Sequence, residues 1–157
     1  MNKFNKLENL RQHIFIDLSE KKEFKVNSSV LDILNKNKIY IDLDWIKTEN
    51  DLLKLLYDKL CQIDKIKEIL DSYDILKDNF WFIDFNIISD ELEIAELKIV
   101  FNNIDKISLE LQKILNSLIS VRERKIIYIL IWKLKNYRFF TWIEGINIKE
   151  GDDYIII

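Results

Sequence analysis

Residues 126–132 read Ile-Ile-Tyr-Ile-Leu-Ile-Trp, an unbroken apolar run of strand length. A strand with one wet face alternates apolar and polar residues, whereas a strand covered on both faces has no reason to alternate. The run therefore calls for a sheet buried on both sides, the arrangement found where helices flank parallel strands. Two further segments fit beside it. Lys38 to Leu43 is β-branched and aromatic, and Leu97 to Phe101 is a short apolar strand closed by Asn102 and Asn103.

Helical signals separate these strands. Thr48-Glu49-Asn50-Asp51 has the form of a helix start: the Thr hydroxyl caps an orphan N–H and the acids suit the positive helix end. Leu52, Leu53, Leu55, Leu56 and Leu60 follow at helical spacing, which predicts a helix over 48–60. Ile63, Ile66, Ile69 and Leu70 let it continue or restart after Cys61, and residues 71–74 break the pattern as a turn. Ser108 opens a second clear helix over 108–124, with Leu111, Ile114, Leu115, Leu118 and Ile119 on one face. For residues 78–92 periodicity leaves helix or strand open, and helix is preferred. The order strand–helix–helix–strand–helix–strand predicts a small α/β fold with three parallel core strands at 38–43, 97–101 and 126–132.

The flanks are less sharply written. Residues 1–37 form an N-terminal extension, with a short strand at 14–16 and helical turns at 29–34. The tail, 133–157, reads as a C-terminal β-hairpin or meander built from 139–143, 146–148 around Gly145, and 155–157. The whole is one domain's worth of chain, 157 residues, large enough for a core without disulfide or metal staples.

Scarce residues exclude several chemistries. One cysteine, Cys61, rules out a disulfide framework and a multi-cysteine zinc site. One histidine, His13, rules out a two-histidine metal motif; it reads as a partly buried strand-edge or surface side chain. Two glycines, Gly145 and Gly151, make no phosphate-cradling loop. The longest uncharged stretch, 114–121, is too short to cross a membrane, and no signal peptide is visible, so a cytoplasmic protein is expected. Heavy use of Ile, Lys and Asn fits AT-rich coding DNA, as in a bacterium or its phage.

Charge is segregated along the chain. Residues 71–96 hold eight acids against one base, Lys77, and the acids are interleaved with Tyr73, Phe80, Trp81, Phe82 and Phe85. Aromatic anchors in a field of one sign suit a face that binds a basic protein. Residues 121–138 hold six bases against one acid, with Tyr128, Trp132 and Tyr137 among them. No enzyme site emerges. The one close acid pair in the strand pattern, Asp42 and Asp44, sits at a strand end, where such a pair is more often a turn than a metal site.

The segment Tyr40-Ile41-Asp42-Leu43-Asp44-Trp45-Ile46-Lys47-Thr48-Glu49-Asn50-Asp51-Leu52 resembles the opening of the barstar family of ribonuclease inhibitors. There a strand ending Ile-Asp-Gly leads through a Thr or Ser cap into Asp-Leu and the first helix; Leu43 stands at the usual Gly. Residues 79–90 resemble the family's second-helix signature, Asn-Asn-Trp-Asp-Ala-Leu-Asn-Glu-Cys-Leu-Arg-Asp, with Asn79, Trp81 and Asp90 matching, and Tyr73 is placed like the family's Tyr before that helix. In this register Phe82 replaces the Asp after the Trp and Asn86 falls at the next acid. A second register sets Asp78 and Trp81 on the family's Asp and Trp. The resemblance covers residues 38–132, with about ten residues inserted near 61–70.

The resemblance implies a barstar-like core and an intracellular inhibitor or immunity protein. Such a protein, an antitoxin, plugs the active site of a cognate nuclease toxin with an acidic helix–loop–helix face. The expected partner-binding residues are Tyr73, Asp74, Asp78, Trp81, Asp84, Asp90 and Glu91; the leading acid is Asp78 or Asp84 according to register, and Asp84 is preferred. For Trp81 both a core and a contact position stand open, and core is preferred. No catalytic residue, metal or cofactor is expected, and the free protein is expected to be a monomer. Two alternatives remain: a phage or prophage inhibitor of a host defence protein, and a small nucleic-acid-binding protein using 121–138. The second is the weaker, because 126–132 is better explained as a buried strand.

Overall fold

The structure, a computed structural model, describes residues 13–19, 38–119, 126–135, 137 and 154–156. Its strands are β1 (His13–Asp17), β2 (Lys38–Asp42), β3 (Lys98–Asn102), β4 (Ile127–Trp132) and β5 (Tyr154–Ile156). Its helices are α1 (Glu49–Cys61), α2 (Asp64–Ser72), α3 (Phe82–Ile87), α4 (Ser89–Ile94) and α5 (Leu109–Ile119), with 3-10 turns at Leu43–Trp45, Lys77–Asn79 and Ile104–Lys106. The strands form one sheet in the order β2-β3-β4-β1-β5, and every pairing is parallel.

The expected α/β class, the three parallel strands and the helices after the first two of them are therefore present. The helical reading of 78–92 holds from Phe82 onward, as α3 and α4 parted at Ile88, while 78–81 are a 3-10 turn and a link without helix. The α5 helix is described from Leu109 to Ile119; residues 120–124 of the expected 108–124 helix lie outside the described residues, as do the expected turns at 29–34 and the segments at 139–143 and 146–148. The flanks differ from expectation. β1 is no appendage: it lies inside the sheet between β4 and β5. The described part of the tail, β5, pairs in parallel with β1, and the other segments of the expected hairpin lie outside the described residues.

Register explains the burial. Ile39, Ile99 and Tyr128 lie side by side, as do Ile41, Phe101, Leu130 and Phe15 one layer on. These rows face a core filled by Leu52, Leu53, Leu56 and Leu60 of α1, Ile66 and Leu70 of α2, Leu92 of α4, and Leu111, Leu115 and Ile119 of α5. The opposite rows, including Ile14, Ile16, Val100, Ile129 and Ile131, are buried as well. Both faces of β4 are thus covered, as the apolar run at 126–132 demands.

Local signals set the helix ends. Thr48 Oγ1 accepts from Asp51 N (3.1 Å) and Asp51 Oδ2 accepts from Thr48 N (3.3 Å), a complete capping box on α1. After Cys61 the chain turns extended at Ile63, so α2 restarts as a separate helix. Helices α2 and α4 both end with a bond from a buried residue back to the carbonyl five positions earlier: Ile75 N to Leu70 O and Leu97 N to Leu92 O. That closure places Asp74 (φ 54°) and Glu96 (φ 56°) in the left-handed region that usually selects glycine.

Candidate partner-binding face

Between α2 and α3 the chain makes a loop, 73–81, held at many points. Ile75 and Phe80 sink into the core. Tyr57 of α1 lies against Phe80, with ring centroids 5.5 Å apart, and donates its hydroxyl to Ile75 O at 3.0 Å. Burial, helped by Cys61, pushes the Tyr57 hydroxyl up to about 12. Asn79 Oδ1 accepts from Leu76 N (2.7 Å), and Asn79 N donates back to Leu76 O (3.1 Å). Lys77 pairs with Asp58 of α1 at 2.9 Å. A loop so restrained presents its exposed side chains with little ordering left to do on binding.

The expected contact residues distribute over this loop and α3–α4. Tyr73 is 44% exposed, and its hydroxyl donates to Glu91 Oε1 at 2.5 Å, joining the end of α2 to α4. That bond, with a smaller contribution from desolvation, raises the Tyr73 pKa. Asp74 is exposed at its left-handed corner. Asp78 is exposed on the 3-10 turn and takes part in no hydrogen bond or ion pair among the described residues. Trp81 is 58% exposed at the N-cap of α3, a surface position rather than a core one. Asp84 is different: its Oδ2 accepts from Trp81 N at 2.7 Å, so this half-buried carboxylate caps its own helix. Asp90 is exposed and Glu91 half-buried. This corrects the preference for Asp84: its carboxylate is engaged in capping α3, and Asp78 is the acid offered outward.

Reading the sequence misses four exposed aliphatic side chains here: Leu76, Ile83, Ile87 and Ile94. A signal existed. Residues 80–95 carry more apolar side chains than one helix face can bury, and among the described side chains the core takes Phe80, Ile88, Leu92 and Ala95 as its fully buried members of the set. Trp45, largely exposed after β2, is also unforeseen.

Other candidates resolve as architecture. Asp42 Oδ1 accepts from Asp44 N (3.0 Å) and from Asn103 Nδ2 (2.7 Å), tying the ends of β2 and β3 together. Among the described residues no group of three or more His, Cys, Asp or Glu is placed to hold a metal ion. In the basic stretch, Tyr128 and Trp132 are buried, and Tyr137 is half-buried with its hydroxyl donating to Gln112 Oε1 (2.9 Å). Lys133 and Lys135 are exposed, while Arg122, Arg124, Lys125 and Arg138 lie outside the described residues. His13 corrects its expectation: β1 is an interior strand, so the imidazole is buried, and its Nδ1 accepts from Tyr128 N at 3.1 Å. No described helix is long and apolar enough to cross a membrane. No protein-family model, curated protein or solved structure matches the chain.

Proposed function

We propose that this protein is an inhibitor or immunity protein with a barstar-like core, which blocks the active site of a cognate basic, nuclease-type toxin. The observation that carries the reading is the 73–81 loop. It is rigidly backed by α1, and it holds Asp78 and the Trp81 ring outward in a segment where acids outnumber bases eight to one. The order β2, α1, α2, α3, α4, β3, α5, β4 is also the order that the resemblance over 38–132 implies.

The physics suits such a partner. A nuclease site is cationic because it holds phosphate, and a carboxylate on a rigid support pairs with the same groups. The acidic field speeds encounter and makes association salt-dependent. Asp78 and Trp81 are the central contacts in this reading, Tyr73 and Glu91 act as a bonded pair at the edge, and Asp74 and Asp90 steer. The protein itself has no catalytic role, metal or cofactor, and it works in the compartment where the toxin is made.

The test is an alanine scan of the acids at 74, 78, 84, 90 and 91, measured against a toxin domain encoded beside this chain, with folding checked for each variant. A desolvated central acid costs about 2–5 kcal/mol when truncated, mostly through off-rate; a rim acid acts through on-rate and salt. Asp78→Ala is expected in the first class and Asp90→Ala in the second. Affinity within a factor of two for every acid variant, together with loss of binding on changing Lys133 and Lys135, would place the face elsewhere.

A further inference from the structure

Helices α3 and α4 expose an aliphatic seam that attraction between charges does not use. Their buried line is Ile88, Leu92 and Ala95. Ile88 N donates to Asp84 O at the end of α3 and Leu92 N to Ile88 O at the start of α4, both at 3.0 Å, so the two short helices meet at Ile88 and share it as a cap. Ile83 and Ile87, four residues apart, share one face of α3, and Ile94 lies on α4 away from its buried Leu92 and Ala95, so all three are on the outer side of the pair. They are 64%, 54% and 74% exposed. At about 100° per residue within each helix, Asp84 borders Ile83 and Ile87 on α3, and on α4 Glu91 lies to one side of Ile94 and Asp90 and Glu93 to the other. The Tyr73–Glu91 bond sets the 73–81 loop, with exposed Leu76 and Trp81, along the first border.

The border selects the occupant. A second copy docked symmetrically on this seam would bring the same carboxylates against one another, and like charges across an interface disfavour it. An occupant with an apolar stripe and basic flanks meets both features. We propose that the α3–α4 face seats a cationic amphipathic helix of the partner. Its aliphatic side chains cover Ile83, Ile87 and Ile94, and its Lys and Arg residues meet Asp84, Glu91, Asp90 and Glu93. This deepens the inhibitor reading and rests on it for the partner's basic character; it adds the shape and the apolar content of what the partner inserts.

The full-length protein is titrated with three synthetic peptides of about five helical turns. One is an amphipathic Leu/Lys helix, the second has the same composition with the stripe scrambled, and the third is a Lys/Gln helix of equal charge. Binding is followed by calorimetry and by amide chemical-shift mapping. The amphipathic peptide is expected to bind at least tenfold more tightly than either control, with shifts centred on residues 81–94. Ile83→Ser/Ile87→Ser is expected to lose at least tenfold in that affinity at unchanged circular dichroism, while Trp45→Ala leaves it as it was. Should the double variant fail to fold, Ile94→Ser and the wild-type shift map take its place. Equal binding of the Lys/Gln peptide, shifts elsewhere, or no binding of any peptide overturns the proposal. The two readings fail separately. A toxin complex lost in Asp78→Ala but untouched in Ile83→Ser/Ile87→Ser removes the seated helix and keeps the inhibitor. Peptide binding without any toxin complex does the reverse.

Discussion

Replacing Glu96 by glycine is expected to stabilise the protein. Glu96 closes α4 with φ 56°, fixed there by the bonds Glu96 N to Glu93 O (2.9 Å) and Leu97 N to Leu92 O (3.2 Å), and Leu92 and Leu97 are both buried. The corner cannot relax without pulling β3 off the core. A side chain with a Cβ pays about 1–2 kcal/mol to sit in the left-handed region. Glycine removes that strain but adds about 0.5–1 kcal/mol of unfolded-chain entropy. The net expectation is a gain of about 0.5–1 kcal/mol for Glu96→Gly, which raises Tm by roughly 1–4 °C for a chain this long. Urea denaturation at constant m-value is the assay, with Glu96→Gln as the control for loss of charge and Glu96→Ala as the control for loss of the side chain beyond Cβ. Asp74→Gly, at φ 54° and closed by Ile75 N to Leu70 O, is expected to behave alike. Asn103 has φ 59° too, but its Nδ2 holds Asp42 Oδ1 at 2.7 Å, so Asn103→Gly forfeits that bond and gains nothing net. If Glu96→Gly is no more stable than Glu96→Ala, the strain argument is wrong.

Thr48→Ala removes half of the capping box on α1 and is expected to lower stability by about 1 kcal/mol in chemical denaturation; a change under 0.3 kcal/mol would mean the box contributes nothing. Phe101→Ala deletes a fully buried ring whose neighbour Tyr128 stacks with centroids 6.1 Å apart, and a loss of about 3–5 kcal/mol is expected from thermal and urea unfolding. The tyrosines make the fold sensitive to alkali. Tyr57, raised from 10.0 to about 12 mainly by burial, favours the native state only while protonated. Its contribution is whole below pH 10 and lost as pH rises through 12, and burial pushes Tyr128 and Tyr137 up as well. Stability measured from pH 9 to 12 should fall, less steeply in Tyr57→Phe, and a flat profile would contradict this.

What the chain determined locally was what short-range chemistry controls. The Thr48–Asp51 cap and the leucines after it specify α1 without reference to anything distant. The segments 39–43, 97–101 and 126–132 read as strands because they are short and rich in β-branched and aromatic residues. The acid-rich character of 71–96, and with it the candidate face, was legible by counting. Tertiary structure decided what depends on partners far along the chain. His13 is buried because β1 is enclosed by β4 and β5, strands more than a hundred residues away in sequence, and no local pattern reports a pairing of that kind. Which of Asp78 and Asp84 faces outward was settled by one hydrogen bond to Trp81 N, set by where α3 begins. The seam at Ile83, Ile87 and Ile94 exists because the sheet offers α3 and α4 room to bury only one side. Periodicity counts apolar residues, but only packing assigns them to the core or to the surface.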